Sequence, residues 1–387
     1  MTKRRCDVIV IGAGPAGTTA ARHCALKGLD TLVIEKKVFP RDKPCGGAVS
    51  EWALSVLSLD LPPQIVEHEC SGARIFFKNH WTEASKPFRI GILVSRRAFD
   101  AFLLQKARDS GAQVLLATRA RDFQTQADEV EVLTDNGSFS AQCLVIAEGA
   151  MGRMAQKIRG PYGKQETALT MVTEVESSQD EIEKRTAGRI QIHFDVAYRG
   201  YGWIFPHRGY YSVGLGGIRG RVTQPTDLLR QFLVRQGFHG KQKLRGCFLP
   251  VGGVPRRVAR DRVILVGDAA GFVDTFTGEG IGYAILSGKL AAETIHDTLS
   301  QRQVSRIDLT PFQDRCHRYF GARLRYANYA SRILHGLPDV FLRAFSTYPE
   351  VPDRLLELAA WKASYRDFLF WFLARTPRYL LSRLSNL

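Results

Sequence analysis

The chain has 387 residues and a mass of 43.3 kDa, which is long enough for two or three domains with sizeable cores. Hydrophobic residues make up 45% and charged residues 24% of the sequence, which excludes collagen-like and low-complexity chains. No apolar run reaches the roughly 18 residues of a transmembrane helix. The net charge of +16 suggests nucleic acid or an anionic membrane surface as a partner, unless the excess belongs to an ordinary solvated surface.

The seven cysteines are irregularly spaced and include no CxxC pair. This pattern argues against a disulfide framework and against a zinc site, and we predict no bound metal. The opening MTKRR resembles the start of a signal peptide, but the apolar stretch behind it runs into a glycine-rich turn without a cleavage-like site. We therefore expect a cytoplasmic protein, either free or peripheral on the cytoplasmic face of a membrane.

The first 35 residues have the pattern of a dinucleotide-binding βαβ unit. A short apolar run at residues 8–11 predicts a strand buried on both faces, and it enters a GxGxxG at residues 12–17. A helix is predicted at residues 18–27, followed by a second strand at residues 31–34 that ends in Glu35. A GxGxxG alone is a weak signal, but this one follows a strand, opens a helix and is answered by an acidic residue.

Each residue of this motif has a physical reason. Gly12 allows the tight turn, Gly14 lets the backbone approach a pyrophosphate, and Gly17 lets helix and strand pack closely. Glu35 can accept hydrogen bonds from an adenosine ribose, while the pyrophosphate lies at the helix N-terminus. The residues predicted to bind the dinucleotide here are Gly12, Gly14, Pro15, Ala16, Gly17, Glu35 and Lys36.

A second segment favours FAD over NAD(P). A buried strand is predicted at residues 262–266 and leads into Gly267 and Asp268, where the carboxylate is placed to accept hydrogen bonds from ribityl hydroxyls. The GEGIG segment then opens a long helix, whose first amides, at Gly280 and Ile281, would face the pyrimidine edge of a flavin. The positive end of the helix would stabilise the negative charge of a reduced flavin.

These segments resemble FAD-dependent oxidoreductases of the hydroxylase-like superfamily and, more narrowly, the geranylgeranyl reductase family. The match spans roughly residues 5–300 and includes two blocks that are rather specific for prenyl reductases. The segments that carry it are VIGAGPAG, FPRDKPCGG at 39–47, Arg96 in RRAFD, YGWIFP at 201–206 and GDAAGFVDTFTGEGIGYA.

The resemblance implies an α/β fold. We expect a Rossmann-type, GR2-like FAD-binding domain, an inserted antiparallel-sheet substrate domain and a helical C-terminal region. The predicted boundaries are 1–75, 90–165 and 250–300 for the discontinuous FAD-binding domain, 166–249 with part of 76–89 for the substrate domain, and 301–387 for the basic helical region.

The resemblance also implies roles for residues outside the nucleotide motifs. Cys45, in a turn with Gly46 and Gly47, is expected beside the isoalloxazine, where its thiol could deliver a proton; a purely structural cysteine is the alternative. Arg96 is expected to contact FAD, with Arg97 as the rival for that contact.

Two further contacts and two departures follow from the same comparison. The backbone near Ala120 is expected to meet the adenine, and Gly149 is expected at the cofactor. Glu148 stands where the superfamily usually has Asp, which puts pyridine-nucleotide contact there in doubt. Thr275 stands where a proline is common, so the loop beside the flavin can differ in detail.

An aromatic row follows in the predicted substrate domain. Tyr201, Trp203 and Phe205 alternate along a strand that Pro206 ends, so all three rings point to one side. Such a row is more often the face of a sheet core, but the family resemblance favours the wall of a long apolar substrate cavity that includes Pro206.

We therefore expect an FAD-dependent reductase of isoprenoid C=C bonds, acting on the geranylgeranyl group of a lipid, a chlorophyll precursor or a quinone. The external electron donor would be NAD(P)H or ferredoxin, and Cys45 and Tyr201 are the candidate proton donors. One alternative is a flavin-dependent monooxygenase or halogenase, although a halogenase would show a WxWxIP-like segment where YGWIFP stands. The other is a membrane-associated flavoprotein adaptor without catalysis.

The tail is more basic than the rest of the chain. Residues 302–387 contain 14 basic and 7 acidic residues, and Arg366, Arg375, Arg378 and Arg383 flank the aromatic cluster at 368–373. This composition is typical of a helix in the interface of an anionic membrane, but it equally fits a helical cap on the substrate domain. Nucleic acid is not expected, because no recognition motif accompanies the charge.

Overall fold

A computed structural model describes residues 5–78, 80–194, 196–197, 199–301 and 307–381. The described strands are β1 Arg5–Ile11, β2 Thr31–Ile34, β3 Ala48–Ser50, β4 Val66–Cys70, β5 Gly72–Phe77, β6 His80–Ser85, β7 Gly91–Val94, β8 Gln113–Leu115, β9 Ala120–Thr125, β10 Val130–Thr134, β11 Gly137–Ile146, β12 Thr167–Glu176, β13 Ile190–His193, β14 Gly200–Pro206, β15 Tyr210–Ile218, β16 Arg245–Pro250, β17 Ala259–Arg260 and β18 Val263–Leu265.

Helices pack on the faces of the sheets and form most of the C-terminal region. They are α1 Pro15–Leu26, α2 Glu51–Leu57, α3 Arg96–Asp109, α4 Arg153–Arg159, α5 Gln179–Thr186, α6 Pro225–Arg235, α7 Ile281–Leu299, α8 Pro311–Cys316, α9 Ala322–Gly336, α10 Pro338–Thr347, α11 Glu350–Ala359 and α12 Tyr365–Leu381.

The first sheet is built around β1. Its main path has the order β17-β18-β11-β1-β2-β8, and β1 pairs in parallel with both β2 and β11. Helices α1 and α7 pack against each other and against this sheet, and a Cβ at Gly288 of α7 would lie 2.4 Å from the carbonyl oxygen of Ala16. Because both faces are covered, residues 8–11 and 263–265 are all buried, at most 5% exposed, as the continuous apolar runs predicted.

The second sheet has the order β16-β12-β15-β14-β13-β5-β6. Its neighbours are antiparallel except β13 and β5, which run parallel. The domain boundary predicted at residue 75 falls inside β5. The chain has already joined the second sheet at Gly72, which pairs with Ser85 of β6, and β5 also pairs with β13 from Ala73 onward.

Alternation along β14 divides its side chains between two cores. Ile204 packs with Val213 and Phe232 under α5 and α6, whereas Trp203 and Phe205 point to the opposite face. On that face the C-terminal helices complete the core with Phe341, Phe345, Tyr365, Phe368 and Phe372. The C-terminal region therefore caps this sheet, which confirms the predicted α/β fold with a helical C-terminal region.

The tail helix α12 is only partly buried. Tyr365 and Phe368 are 1% exposed, whereas Phe370 is 62% exposed. Among the described residues, no helix has the length and apolar character needed to cross a membrane. The side chain of Arg378 and all of Arg383 lie outside the described part of the chain.

Candidate active site

One cavity of about 610 Å³ joins the two sheets. At one end it is lined by the carboxyl ends of β1 and β2, and at the other by α11 and by the face of β14 that carries Tyr201, Trp203 and Phe205. The Cys45 turn lies between these two ends on the cavity wall. The segments singled out from the sequence therefore share one continuous space.

The glycine motif has the geometry of a phosphate-binding turn. Gly12 has a φ of +100°, and a Cβ there would lie 2.5 Å from the Ala147 carbonyl oxygen. A Cβ at Gly17 would lie 1.9 Å from the Gly12 carbonyl oxygen, so only glycine lets the helix approach the turn. A Cβ at Gly14 would instead point into the cavity, with Arg41 Nη2 at 3.6 Å as its sole near neighbour among the described residues. This cradle fits a pyrophosphate.

Glu35 is held at the end of β2. Its Oε2 accepts a hydrogen bond from the Ala13 amide and its Oε1 accepts one from the Lys37 amide, both at 2.8 Å. The side chain is 6% exposed and faces the cavity, together with Arg119 and Ala120 across the opening. A fixed acceptor at this point fits the ribose of an adenine dinucleotide.

Two arginines converge on one buried carboxylate beside this cradle. Arg96 donates through Nε and Nη2 to the two oxygens of Asp100 at 2.8 and 2.9 Å, and Arg41 lies 3.0 Å from Oδ2. Burial acts to lower the pKa of Arg96, but the negative charge of Asp100 and the adjacent Cys45 sulfur raise it above its ordinary value. Two guanidinium groups against one carboxylate leave an excess positive charge for an anionic cofactor.

Arg97, the rival for this contact, points elsewhere. Its side chain is 60% exposed and lies 3.5 Å from Asp42 at the surface. Arg96, in contrast, lines the cavity. The two neighbours thus differ by about 100° around α3, which is enough to separate a cavity residue from a solvent residue.

His207, Glu67 and Tyr210 form a hydrogen-bonded cluster that holds the Cys45 turn in place. The sequence did not predict this cluster. His207 Nε2 donates to the Gly46 carbonyl oxygen at 3.0 Å, and its Nδ1 lies 2.5 Å from Glu67 Oε2. Tyr210 donates to the same Glu67 oxygen at 2.8 Å. The His207 ring is 2% exposed, so its hydrogen bonds hold the turn from the side away from the cavity.

The aromatic row lies against the front of that turn. A Cβ at Gly46 would meet Phe205 at 2.9 Å and Trp203 Nε1 at 3.2 Å, so glycine is required for this contact. Tyr201, Trp203 and Phe205 all line the cavity. Pro206 is buried but is not among the lining residues that are described.

The loop before α7 brings two more carboxyl groups to the cavity. Glu279 Oε1 accepts from the Gly282 amide at 2.9 Å, and Asp274 Oδ1 accepts from the amides of Phe276 and Thr277 at 2.9 Å each. Burial raises the pKa of both acids above the ordinary value. Neither carboxyl group was predicted from the sequence, although Glu279 lies within the GEGIG segment.

The other predicted residues divide between the cavity wall and its support. Those that line the cavity are Gly12, Gly14, Pro15, Ala16, Glu35, Lys36, Cys45, Gly46, Arg96, Ala120, Gly149, Asp268, Gly280 and Ile281. Gly17, Gly47 and Gly267 lie just behind it, where a Cβ would meet neighbouring atoms at 3.0 Å or less. Of the two departures, Glu148 accepts from the Ala155 amide at 2.8 Å, and the Thr275 hydroxyl donates to the Gly252 carbonyl at 3.3 Å.

Comparison with known proteins decides the family. Residues 6–190 match the model described as pyridine nucleotide-disulphide oxidoreductase, which covers just under half of the chain. The menaquinone reductase of Mycobacterium tuberculosis is 30% identical, over 83% of this chain and 83% of its own length. A digeranylgeranylglycerophospholipid reductase of Methanopyrus kandleri is 29% identical over 88% of this chain and 89% of its own.

The chain belongs to the geranylgeranyl reductase family of FAD-dependent oxidoreductases.

Solved structures agree with this assignment at the level of the fold. A geranylgeranyl bacteriochlorophyll reductase-like protein of Thermoplasma acidophilum superposes with a TM-score of 0.80 over 99% of both chains, at 21% identity. A flavin-dependent brominase superposes with a TM-score of 0.73 over 92% of this chain and 93% of its own, at 19% identity. The geranylgeranyl reductase fold is thus shared with halogenases, and the fold alone does not separate the two chemistries.

Proposed function

We propose that the protein saturates isoprenoid C=C bonds, using FAD that an external donor, NAD(P)H or ferredoxin, reduces. The observation that carries this proposal is the continuity of the cavity. The cradle at Gly14 and Glu35 opens into an apolar arm past the Cys45 turn and the aromatic row. A long, dry arm beside a dinucleotide site suits a prenyl chain better than a small polar substrate.

When bound, reduced FAD supplies the hydride. The chain's own residues supply binding, orientation and exclusion of water. Gly14, Arg41 and Arg96 would hold the pyrophosphate side, while Trp203 and Phe205 would fix the chain against the Cys45 turn. Leu355 and Leu358 of α11 and Trp361 close the opposite wall.

An unactivated alkene has no carbonyl group to take up negative charge, so a proton must reach the second carbon. Tyr201 is poorly placed to give one, because its hydroxyl donates to the Thr277 carbonyl at 2.5 Å and burial raises its pKa. The Cys45 sulfur accepts from the Gly47 amide at 3.4 Å and lines the cavity, so its thiol is the second candidate donor. Glu279, whose pKa is raised by burial, is the third candidate.

We also propose that the protein is peripheral on an anionic membrane, where such substrates reside. Phe370 and Leu373 of α12 are 62% and 43% exposed, and Arg366 and Arg375 lie on the same helix. Exposed apolar side chains between arginines are typical of helices that insert shallowly into an anionic bilayer. The remaining aromatic side chains of the cluster pack against the sheet, so the helix has both a capping face and an exposed face.

The test is a single-turnover reaction without oxygen. Purified holoenzyme is reduced with dithionite and mixed with a geranylgeranyl lipid, and the product mass is measured. A gain of about two mass units per reduced bond supports the proposal, and an unchanged mass overturns it. Oxygen uptake coupled to substrate in a parallel aerobic reaction would instead favour the monooxygenase or halogenase alternative.

Single-residue variants distinguish a catalytic protein from a flavoprotein adaptor without catalysis. Cys45→Ala and Glu279→Gln are made along with Tyr201→Phe, and the FAD content of each is measured from its absorbance. A variant that keeps FAD but loses reduction of the alkene identifies a residue needed for chemistry. A wild-type protein that carries FAD, binds vesicles and reduces no isoprenoid would support the adaptor.

A further inference from the structure

The apolar arm of the cavity carries one cluster that the proposed reaction does not use. Arg199 immediately precedes β14, and His335 lies in the last turn of α9; both side chains line the cavity. The same cavity is also lined by the apolar side chains of Ile192, Phe194 and Leu355. A guanidinium group and an imidazole thus face a space otherwise shaped for hydrocarbon.

Arg199 differs from Arg41, Arg96 and Arg323 on this cavity wall, whereas Arg119, beside Ala120 at the Glu35 end, has no side-chain partner among the described residues either. Arg41 and Arg96 share the Asp100 carboxylate, and Arg323 donates to the carbonyl oxygens of Leu358 and Ala363. For Arg199, no carboxylate or carbonyl oxygen within the described residues lies at hydrogen-bond or ion-pair distance. An uncompensated positive charge in an apolar wall is costly unless a ligand brings the opposite charge.

The guanidinium charge of Arg199 acts on the imidazole of His335. Burial, and then the positive charge of Arg199, lower the pKa of His335 to about 4. The imidazole is therefore neutral at pH 7 and carries one N–H donor. An anion between the two side chains would accept from the guanidinium and from the imidazole, and would remove the repulsion that disfavours a protonated imidazole.

The position of Arg199 also suits one end of a prenyl chain. Phe205, which lies at the Cys45 turn, is six positions further along the extended chain. At a rise of ~3.3 Å per residue this is about 20 Å, a distance that spans several isoprene units. Tyr201, Trp203 and Phe205 line the cavity along this path.

We propose that Arg199 and His335 bind the phosphate or diphosphate head of the isoprenoid substrate. This inference rests on the proposed function and narrows it: the substrate is a phosphate-bearing prenyl chain, whose head lies at Arg199 and whose tail reaches the Cys45 turn. A neutral quinone or alcohol would leave the guanidinium charge uncompensated and would bind more weakly.

The experiment measures binding of three prenyl ligands to oxidised holoenzyme by calorimetry. Geranylgeranyl diphosphate, a geranylgeranyl glycerophosphate and geranylgeraniol share one tail and differ only in the head. The wild-type protein is expected to bind a phosphate-bearing ligand about tenfold or more tighter than the alcohol, as expected for a charge-assisted contact. The tighter of the two phosphate ligands distinguishes a free diphosphate from a lipid headgroup.

Arg199→Met is expected to abolish this preference while it leaves the affinity for geranylgeraniol unchanged. The matched control is Arg230→Met, which removes an exposed arginine of α6 paired with Asp227 outside the cavity. If Arg199→Met does not fold, inorganic diphosphate provides a second measurement in wild-type protein. It should compete with the phosphate ligands and not with the alcohol.

The outcomes separate this inference from the proposed function. Equal binding of the alcohol and both phosphate ligands overturns the head subsite and leaves the reductase intact. Binding of none of the three overturns both. A preference that survives Arg199→Met, or diphosphate that fails to compete, also overturns the assignment to Arg199.

Discussion

The hydroxyl of Tyr365 donates a hydrogen bond of 3.1 Å to Oδ1 of Asp274. Both side chains are 1% exposed, and the same Asp274 oxygen accepts the amides of Phe276 and Thr277. Tyr365 opens α12, whereas Asp274 anchors the loop that leads into α7 at the predicted flavin edge. The C-terminal helices therefore support the active-site loop directly, in addition to covering the substrate sheet.

Tyr365→Phe tests this support. The substitution keeps the ring but removes the donor, and Asp274 loses one of three hydrogen bonds in a buried site. We expect the free energy of unfolding to fall by about 1–2 kcal/mol and FAD to dissociate more readily. Thermal unfolding followed by flavin fluorescence measures both effects.

The control for this variant is Tyr319→Phe, because Tyr319 is 61% exposed. It should change neither quantity. Equal flavin affinity in Tyr365→Phe and wild-type protein would show that the loop does not depend on the C-terminal helix.

Arg96→Ala should destabilise the protein more than Tyr365→Phe does. Asp100 is fully buried and would keep only the single contact with Arg41, so a charge would be left poorly compensated. We expect a loss of about 3 kcal/mol in unfolding free energy, together with loss of FAD. Denaturant unfolding and the absorbance of the purified protein check these two results.

Arg97→Ala is the matched control on the same helix. Its partner Asp42 lies at 3.5 Å and both side chains are more than half exposed, so the expected change is below about 0.5 kcal/mol. If the alanine variants at positions 96 and 97 lost equal amounts of FAD, the distinction between the two arginines would be wrong.

The sequence predicted those features of the fold and the site that depend on residues only a few positions apart. The glycine turn, the acid at the end of β2 and the alternation of Tyr201, Trp203 and Phe205 each follow from a spacing of a few residues. The contacts between His207 and Glu67 and between Tyr365 and Asp274 do not, because 140 and 91 residues separate the partners. Such pairs become neighbours only when the two sheets and the C-terminal helices pack together.

The C-terminal tail is a second example of a feature that the sequence alone could not predict. Its composition fitted both a membrane helix and a cap, because helical periodicity does not say which apolar face finds a partner inside the protein. The structure places Phe368 and Phe372 against the second sheet and leaves Phe370 outside. Packing, and not composition, divides the aromatic cluster.

Buried histidines predict loss of stability in mild acid. Burial, with the charges of Arg185 and Arg235, lowers the pKa of His193 to about 3, and Nε2 has no hydrogen-bond partner among the described residues. Because the folded-state pKa lies below the unfolded value, protons bind preferentially to the unfolded chain. Stability should be complete above pH 7 and should fall as the pH drops through 6.5, by roughly 2 kcal/mol from this group by pH 5.

His193→Leu should flatten that pH profile, measured by urea unfolding at pH 7 and at pH 5. The ring of His193 stacks on Phe76 at 4.3 Å, so an apolar side chain of similar size suits the site. His80→Leu, an exposed position on β6, serves as the control and should leave the slope unchanged. An identical slope in His193→Leu and wild-type protein would remove His193 as a source of acid sensitivity.

Two phenylalanines on α12 separate membrane contact from packing. Phe370 is 62% exposed, whereas Phe368 is 1% exposed and packs with Phe372 and Trp371. Phe370→Ser should weaken binding to anionic vesicles several-fold and leave the unfolding free energy within about 0.5 kcal/mol of wild type. Phe368→Ser should instead destabilise the protein by about 3 kcal/mol or more, because it removes a ring from a closed core. Vesicle co-sedimentation and denaturant unfolding of both variants measure these effects, and vesicle binding that neither Phe370→Ser nor neutral lipid reduces would rule out α12 as the membrane contact.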